Sequence, residues 1–325
     1  MSRPLYLSVI VPATDVPSSL DECLAQIRPQ MEGADELVVV VREACRKGAA
    51  AARNSGAAIS RGDVLVFVDA DVALNGDAIG RVREHFRADP NLGALFGRYK
   101  DCASPHGFCS TFRNALHSHY HQRTPGFVPT FWTGIGAVRH DLFQQIGGFN
   151  DDIYREAMIE DVEFGLRLTL AGCTILLDPN IVGAHLKHWS LRCMVRTDIL
   201  CRAKPWTELL WRTRSWPRRM PGNDGLQVRT SSLLVVVGAF SFAHPRAAIP
   251  AVLAVLGATH WRFYRTLLTM TSGARLPEAA ALHLLHLCCC WIGAALGIGH
   301  MMIRWLHRTP RGGELGCERY GAVHV

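Results

Sequence analysis

Five consecutive apolar residues, Val64-Leu65-Val66-Phe67-Val68, stand between Asp63 and the pair Asp69-Ala70-Asp71. A run this short, rich in aliphatic residues and bounded by charge, reads as a strand buried on both faces. The chain must therefore wrap helices around a sheet. Leu5 to Val11 and Leu37 to Val41 repeat the pattern, and helical periodicity over about Ser18 to Ile27 and Ala49 to Ser60 separates the runs. Strands alternating with helices predict an α/β architecture with a mostly parallel central sheet flanked by helices. Ligands of such sheets gather at the carboxyl ends of strands, where Pro12-Ala13-Thr14-Asp15 and Asp69-Ala70-Asp71 fall. Two hard oxygen donors one residue apart suit a shared Mg²⁺ or Mn²⁺ carrying a diphosphate, although a solvated turn would accept them as well. Neither a Gly-x-Gly-x-x-Gly fingerprint nor a P-loop follows a strand.

The last third of the chain is of another kind. Ser231 to Ala243, Ala247 to Thr259 and Ala279 to about Leu306 are strongly apolar, with a break at His244-Pro245-Arg246. Residues 231 to 259 as one helix would measure roughly 43 Å against a hydrocarbon core of roughly 30 Å, so either a tilted, kinked span or a shallow re-entrant hairpin fits. The third stretch is long enough to cross, although His283, His286, His300 and Arg304 interrupt it. Just upstream, ten Lys and Arg against three acids lie between Leu186 and Arg229, a surplus that equals the net charge of +7. Trp189, Trp206, Trp211 and Trp216 are interleaved with them. Such a mixture suits a lipid headgroup region, and the apolar sequence that follows favours membrane over nucleic acid. The N-terminus shows no basic n-region and no small-residue cleavage site, which predicts a catalytic domain on the cytoplasmic side of the membrane. The eleven cysteines are scattered and predict reduced thiols. Cys102-x-x-x-His106-x-x-Cys109 lacks a full zinc ligand set.

Taken in order, several stretches resemble the inverting family 2 glycosyltransferases of the GT-A fold. Ser8-Val9-Ile10-Val11-Pro12-Ala13 looks like their opening strand, and Arg46 to Gly56 like their Gly-x-x-x-x-Arg-Asn-x-Gly helix. Arg61-Gly62-Asp63 with Val64 to Asp71 resembles the strand that delivers the metal-binding Asp-x-Asp. Gly134-Ile135-Gly136-Ala137-Val138-Arg139, Phe143, Gly147-Gly148-Phe149-Asn150, Glu160-Asp161-Val162-Glu163 and Arg167-Leu168 are similar to the acceptor half. The likeness covers roughly residues 5 to 190.

The resemblance implies a division of labour. Asp69, Asp71 and, after the last core strand, His185 would hold a divalent cation, Mg²⁺ or Mn²⁺; a surface histidine at a membrane boundary is the plainer reading of His185 and His188. Pro12, Ala13, Glu43, Lys47, Gly48, Arg53, Asn54 and Asp69 would meet the nucleotide-diphospho-sugar donor, since helix amide ends attract diphosphate. Asp161 would be the base that takes the acceptor proton, with Glu160 orienting the site. Trp132, Gly134 and Gly136 would line the acceptor, although core packing explains an aromatic and two glycines equally well. The family's Asp after the second strand, which contacts the nucleobase, is replaced by Val39-Val40-Val41-Arg42-Glu43. The Gln-x-x-Arg-Trp of processive members is missing, which favours a single transfer over polymer synthesis.

The expected organisation is a GT-A catalytic domain over 1–200, a basic, Trp-rich interfacial segment over 201–230, membrane-embedded or transmembrane helices over 231–307 and a polar tail over 308–325. The expected activity is metal-dependent, inverting transfer of one sugar from a nucleotide-diphospho-sugar to a lipid or lipid-linked acceptor, with no nucleic-acid partner. Two rivals exist: a haloacid-dehalogenase-like phosphatase, in which the first Asp of Asp-x-Asp is a nucleophile, and a membrane scaffold with a degenerate transferase domain.

Overall fold

A computed structural model describes residues 4–13, 18–41, 48–214 and 226–307. The chain runs from β1 (Leu7–Ala13) through α1 (Leu20–Ile27), β2 (Glu36–Val41), α2 (Ala49–Ile59), β3 (Val64–Val68), β4 (Val72–Leu74) and α3 (Ala78–Ala88) to β5 (Leu92–Tyr99). There follow α4 (Phe108–Arg123), the short β6 (Gly126–Phe127), β7 (Ile135–Arg139), α5 (His140–Ile146), α6 (Glu160–Leu170) and β8 (Thr174–His185). Beyond the sheet come α7 (Leu191–Arg196), a π-helical turn Thr197–Ala203, α8 (Lys204–Thr213), α9 (Leu226–Ala243), α10 (Ala248–Met270) and α11 (Leu276–Leu306).

The period of two along the central strands splits the core into two layers. Val9 and Val11 of β1 and Val64, Val66 and Val68 of β3 pack beneath α1 and α3 with Leu24, Ile79 and Phe86. The alternate residues Ile10, Leu65 and Phe67 face α2, α5 and α6, where Phe143, Phe149 and Phe164 form a cluster. All five residues of β3 are buried. The strand order is β2-β1-β3-β7-β5-β8-β4, with β6 beside β8. The sheet is mixed rather than mostly parallel, which corrects the expectation. β7 inserts antiparallel between β3 and β5, while β1 is parallel to both β2 and β3. This insertion carries the loop before β7, residues Phe131 to Gly134, to the end of β3.

The described part of the C-terminal third is packed onto the α/β part. Phe112 and Leu116 of α4 share a cluster with Trp189, Met194, Phe263, Leu267 and Leu282. Gly293 and Gly297 of α11 let its backbone close on the π turn and α8: a Cβ at Gly293 would lie 2.6 Å from Ala203 Cβ, and one at Gly297 2.8 Å from the Lys204 carbonyl oxygen. Among the described residues one helical stretch, Gly273–Leu306, is long and apolar enough to cross a membrane, while Arg229–Ala243 is shorter. The expectation of several membrane helices over 231–307 therefore reduces to one candidate. His244 and Pro245 end α9 early, and α10 kinks at His260, which has non-helical backbone angles. Residues 215–225 and the tail 308–325 lie outside the described residues.

Candidate active site

The end of β3 delivers Asp69 and Asp71, and the first turn of α6 delivers Glu160 and Asp161. Acids in that first turn meet the positive end of the helix dipole. Arg53 of α2 joins the two. Its Nη2 lies 2.7 Å from Asp69 Oδ1 and its Nη1 2.7 Å from Glu160 Oε1, and the side chain is buried. Burial opposes the charge of Arg53, yet Asp69 and Glu160 raise its pKa well beyond the ordinary value. The second oxygen of Glu160 accepts from the Met158 N–H at 2.8 Å. Arg53 therefore fixes the spacing of the two acidic pairs.

Asp71 faces His185 of β8, with Oδ2 and Nε2 3.5 Å apart. Asn114 of α4 sets the imidazole. Its amide nitrogen donates to the His185 carbonyl at 3.1 Å, and its oxygen lies 2.7 Å from Nδ1. In that orientation Asn114 makes Nδ1 the hydrogen-bearing nitrogen, so Nε2 turns its lone pair toward the Asp71 carboxylate. Either a second proton on Nε2 or a cation between the two acceptors resolves their repulsion. The Tyr99 ring stacks on His185 at 4.2 Å and holds its plane. Burial would raise the Asp71 pKa, but the hydrogen bond and charge of His185, with Lys187, bring it below the carboxylate range. One carboxylate and one imidazole, held by outer partners and beside a second carboxylate, fit a divalent cation completed by phosphate oxygens. Among the described residues no three His, Cys, Asp or Glu side chains already converge as a closed cation site. Asp69 presents its Oδ1 to Arg53.

Asp161 is the contrasting carboxylate. Its Oδ2 receives the Thr133 N–H at 3.3 Å and the Thr133 hydroxyl at 3.4 Å, and its Oδ1 the Val162 N–H at 2.8 Å. Burial, then the negative charge of Glu160, push its pKa up to about 7 against the opposing pull of Arg53 and these backbone donors. It remains partly accessible, facing a cavity of about 580 Å³. That cavity runs from Asp69, Asp71 and Arg53 past Tyr99, His117, Trp132 and Asp161 to the π turn, α8 and His286, Cys290 and Ala294 of α11. Burial and the nearby His121 keep the pKa of His117 well below its ordinary value, so it is a neutral wall.

The predicted residues separate by position. Asp69, Asp71, His185, Arg53, Glu160, Asp161 and Trp132 meet in this one cavity. Pro12 and Ala13 end β1 paired with Val40 and Val41. Asn54 is engaged with Phe149, donating to its carbonyl at 2.8 Å and accepting from its N–H at 2.9 Å. Gly48, at φ +91°, comes so close to the Arg155 carbonyl that a Cβ would lie 2.2 Å from it. Gly134 and Gly136 make room for Trp132, since a Cβ would meet its ring at 2.1 Å and its carbonyl at 2.3 Å respectively. Glu43 and Lys47 lie outside the described residues. Asn114, Thr133, Arg113, Asp198 and His286 are additions that no motif announces. Arg113 is ion-paired to Asp198 at 2.5 Å, and Asp198 also takes His286 Nδ1 at 2.8 Å, tying α4, the π turn and α11 together behind the cavity.

Residues 18–147 match the model of the family described as Glycosyl transferase family 2. No curated protein matches the sequence. Among solved structures, the mannosyltransferase PcManGT from Pyrobaculum calidifontis, in complex with GDP-Man and Mn²⁺, superposes with a TM-score of 0.52 at 18% identity, over 90% of this chain and 86% of that one. This is a likeness of fold. GalNAc-T7 with UDP, GalNAc and Mn²⁺ is looser, with a TM-score of 0.46 and 12% identity over 65% of this chain and 48% of that one.

Proposed function

We propose that this glycosyltransferase, whose residues 18–147 match the family 2 model, moves a single sugar, with inversion, from a nucleotide-diphospho-sugar to a lipid or lipid-linked acceptor at a membrane. The observation that carries the reading is the convergence of two acidic sites in one cavity: Asp71 facing His185 across 3.5 Å, and Asp161 held by the Thr133 and Val162 N–H groups. A divalent cation held by Asp71 and His185, with Asp69, would supply charge stabilisation to the departing diphosphate.

The rest is the work of this chain's own side chains. Asp161 accepts the proton of the acceptor hydroxyl as that oxygen bonds to the anomeric carbon and the carbon–diphosphate bond breaks. A carboxylate with a pKa of about 7 is matched to this task near neutral pH. Thr133 and the Val162 N–H orient it, and Arg53 holds the donor and acceptor acids at fixed separation. The phosphatase rival leaves the Glu160-Asp161 pair, which shares this cavity with Asp69, without a role. Lipid enters the reading because the cavity's far wall is α11, whose stretch is long and apolar enough to cross a membrane.

Purified full-length protein in detergent, offered a panel of nucleotide sugars with Mn²⁺ or Mg²⁺, tests this. Slow hydrolysis of one donor, with thermal stabilisation by the matching nucleoside diphosphate plus metal, is expected. No hydrolysis and no stabilisation with any donor would overturn it.

A further inference from the structure

The cavity contains a cation that the chemistry above does not use. Arg202 lies in the π-helical turn Thr197–Ala203, and its accessible side chain lines the cavity. Other arginines there are engaged: Arg53 with Asp69 and Glu160, Arg113 with Asp198, Arg196 with Glu156. Lys187 lies over the Trp189 ring at 4.7 Å. Among the described residues no hydrogen bond or ion pair ties Arg202. Enclosure by the cavity walls lowers its pKa, and the positive charge of Arg113 adds to this, against the pull of Asp198 and Asp161. A guanidinium that faces the cavity with open donors offers an anion charge-assisted hydrogen bonds. π turns are frequent at functional sites.

Position then says which anion. The donor's diphosphate belongs beside Asp71 and His185; Arg202 stands next to Ala203, which packs against Gly293 of α11, and its charge acts on Asp161, the acceptor's base, and on Tyr99. Beside it the cavity wall is apolar, formed by Trp206, Leu210 and Ala294. A charged contact adjoining a hydrocarbon wall matches a head-and-tail ligand. We propose that Arg202 is the anion-recognition residue of the acceptor subsite and binds the phosphate ester of a phospholipid-type acceptor, whose chain follows Trp206, Leu210 and Ala294. The proposal rests on the acceptor reading above and gives it a chemical class.

Full-length protein in detergent, titrated with farnesyl phosphate or farnesol and followed by tryptophan fluorescence, tests it. Farnesyl phosphate is expected to bind at least tenfold tighter than farnesol. Arg202→Ala, or the shape-preserving Arg202→Gln if the first variant fails to fold, is expected to abolish that difference, and Arg202→Lys to restore part of it. In each variant, stabilisation by nucleoside diphosphate and Mn²⁺ should be unchanged. Equal binding of the two lipids by the wild type, or a preference that survives Arg202→Gln, overturns the proposal. So does inorganic phosphate that displaces farnesyl phosphate at equal concentration, since the site would then take free phosphate. Phosphate preference in a protein that binds no nucleotide would leave the subsite standing and remove the transferase reading.

Discussion

Glu160 and Asp161 are adjacent on one helical turn, and Arg53 makes them unlike. Glu160 is ion-paired to Arg53, and its negative charge adds to burial in lifting Asp161 to about 7. Turnover should therefore rise with pH through about 7 as Asp161 loses its proton. Glu160→Gln should move this acidic limb to lower pH, which a kcat–pH profile would show. Asp161→Asn should keep nucleotide–metal binding and lower kcat by roughly 10²–10⁴-fold, the usual contribution of a general base. Linkage has a definite sign here: a carboxyl with its folded pKa raised from 3.8 to about 7 stabilises the fold at low pH, and that stability is lost as pH rises across this window. Asp161→Asn should accordingly melt higher than wild type above pH 7, by calorimetry. Arg53→Ala leaves a buried carboxylate unpaired and should cost about 3–5 kcal/mol in denaturant unfolding, with Arg53→Lys recovering little because an ammonium lacks the fork. The sequence motif singles out Arg53 but not its use. It reads as a donor contact, because partners 16 and 107 positions away leave no local pattern.

At the scale of elements, the legible parts are those that local periodicity encodes. β3 is found with the limits expected, and α2 within one residue, because a five-residue apolar run and an Ala-rich amphipathic stretch each admit one packing. Strand direction has no such signature. The stretch that forms β7 resembles the acceptor half in sequence, yet its antiparallel insertion between β3 and β5 depends on contacts made only in the folded sheet. The long apolar run of α11 is legible in sequence, whereas the contact made by Gly293 and Gly297 is visible only in the packed structure. That contact yields a prediction. A Leu at Gly293 would drive its Cβ to 2.6 Å from Ala203 and 2.8 Å from the Ile199 carbonyl. Gly293→Leu should separate α11 from the π turn, detected as new proteolytic cleavage around residues 197–204 and weaker acceptor binding. Nucleotide–metal stabilisation, which depends on β3, α2 and β8, should persist.

For the whole molecule, the two faces of α11 decide whether the C-terminal third is only an anchor. Its inner face carries His286, bound to Asp198, and Gly293 and Gly297 against the π turn and α8. Its outer face leaves Trp291 56% exposed, Leu296 47%, Met302 51% and Ile303 55% exposed. Both faces are apolar enough to read alike in sequence, so His283, His286 and His300 look like blemishes in a span; in the structure His286 meets Asp198 and His300 meets Glu208 at 2.7 Å. A helix that both walls the cavity and presents continuous apolar surface would couple the acceptor site to lipid. The two roles are separable by substitution. Trp291→Arg with Met302→Arg alters only the outward face, so donor hydrolysis in detergent should match wild type, while cosedimentation with phospholipid vesicles should fall at least tenfold. Vesicle binding that survives the double substitution would show that lipid is met elsewhere on the chain. Loss of hydrolysis in detergent would show instead that the outward face supports the cavity, since a surface that serves only lipid has no effect once lipid is removed.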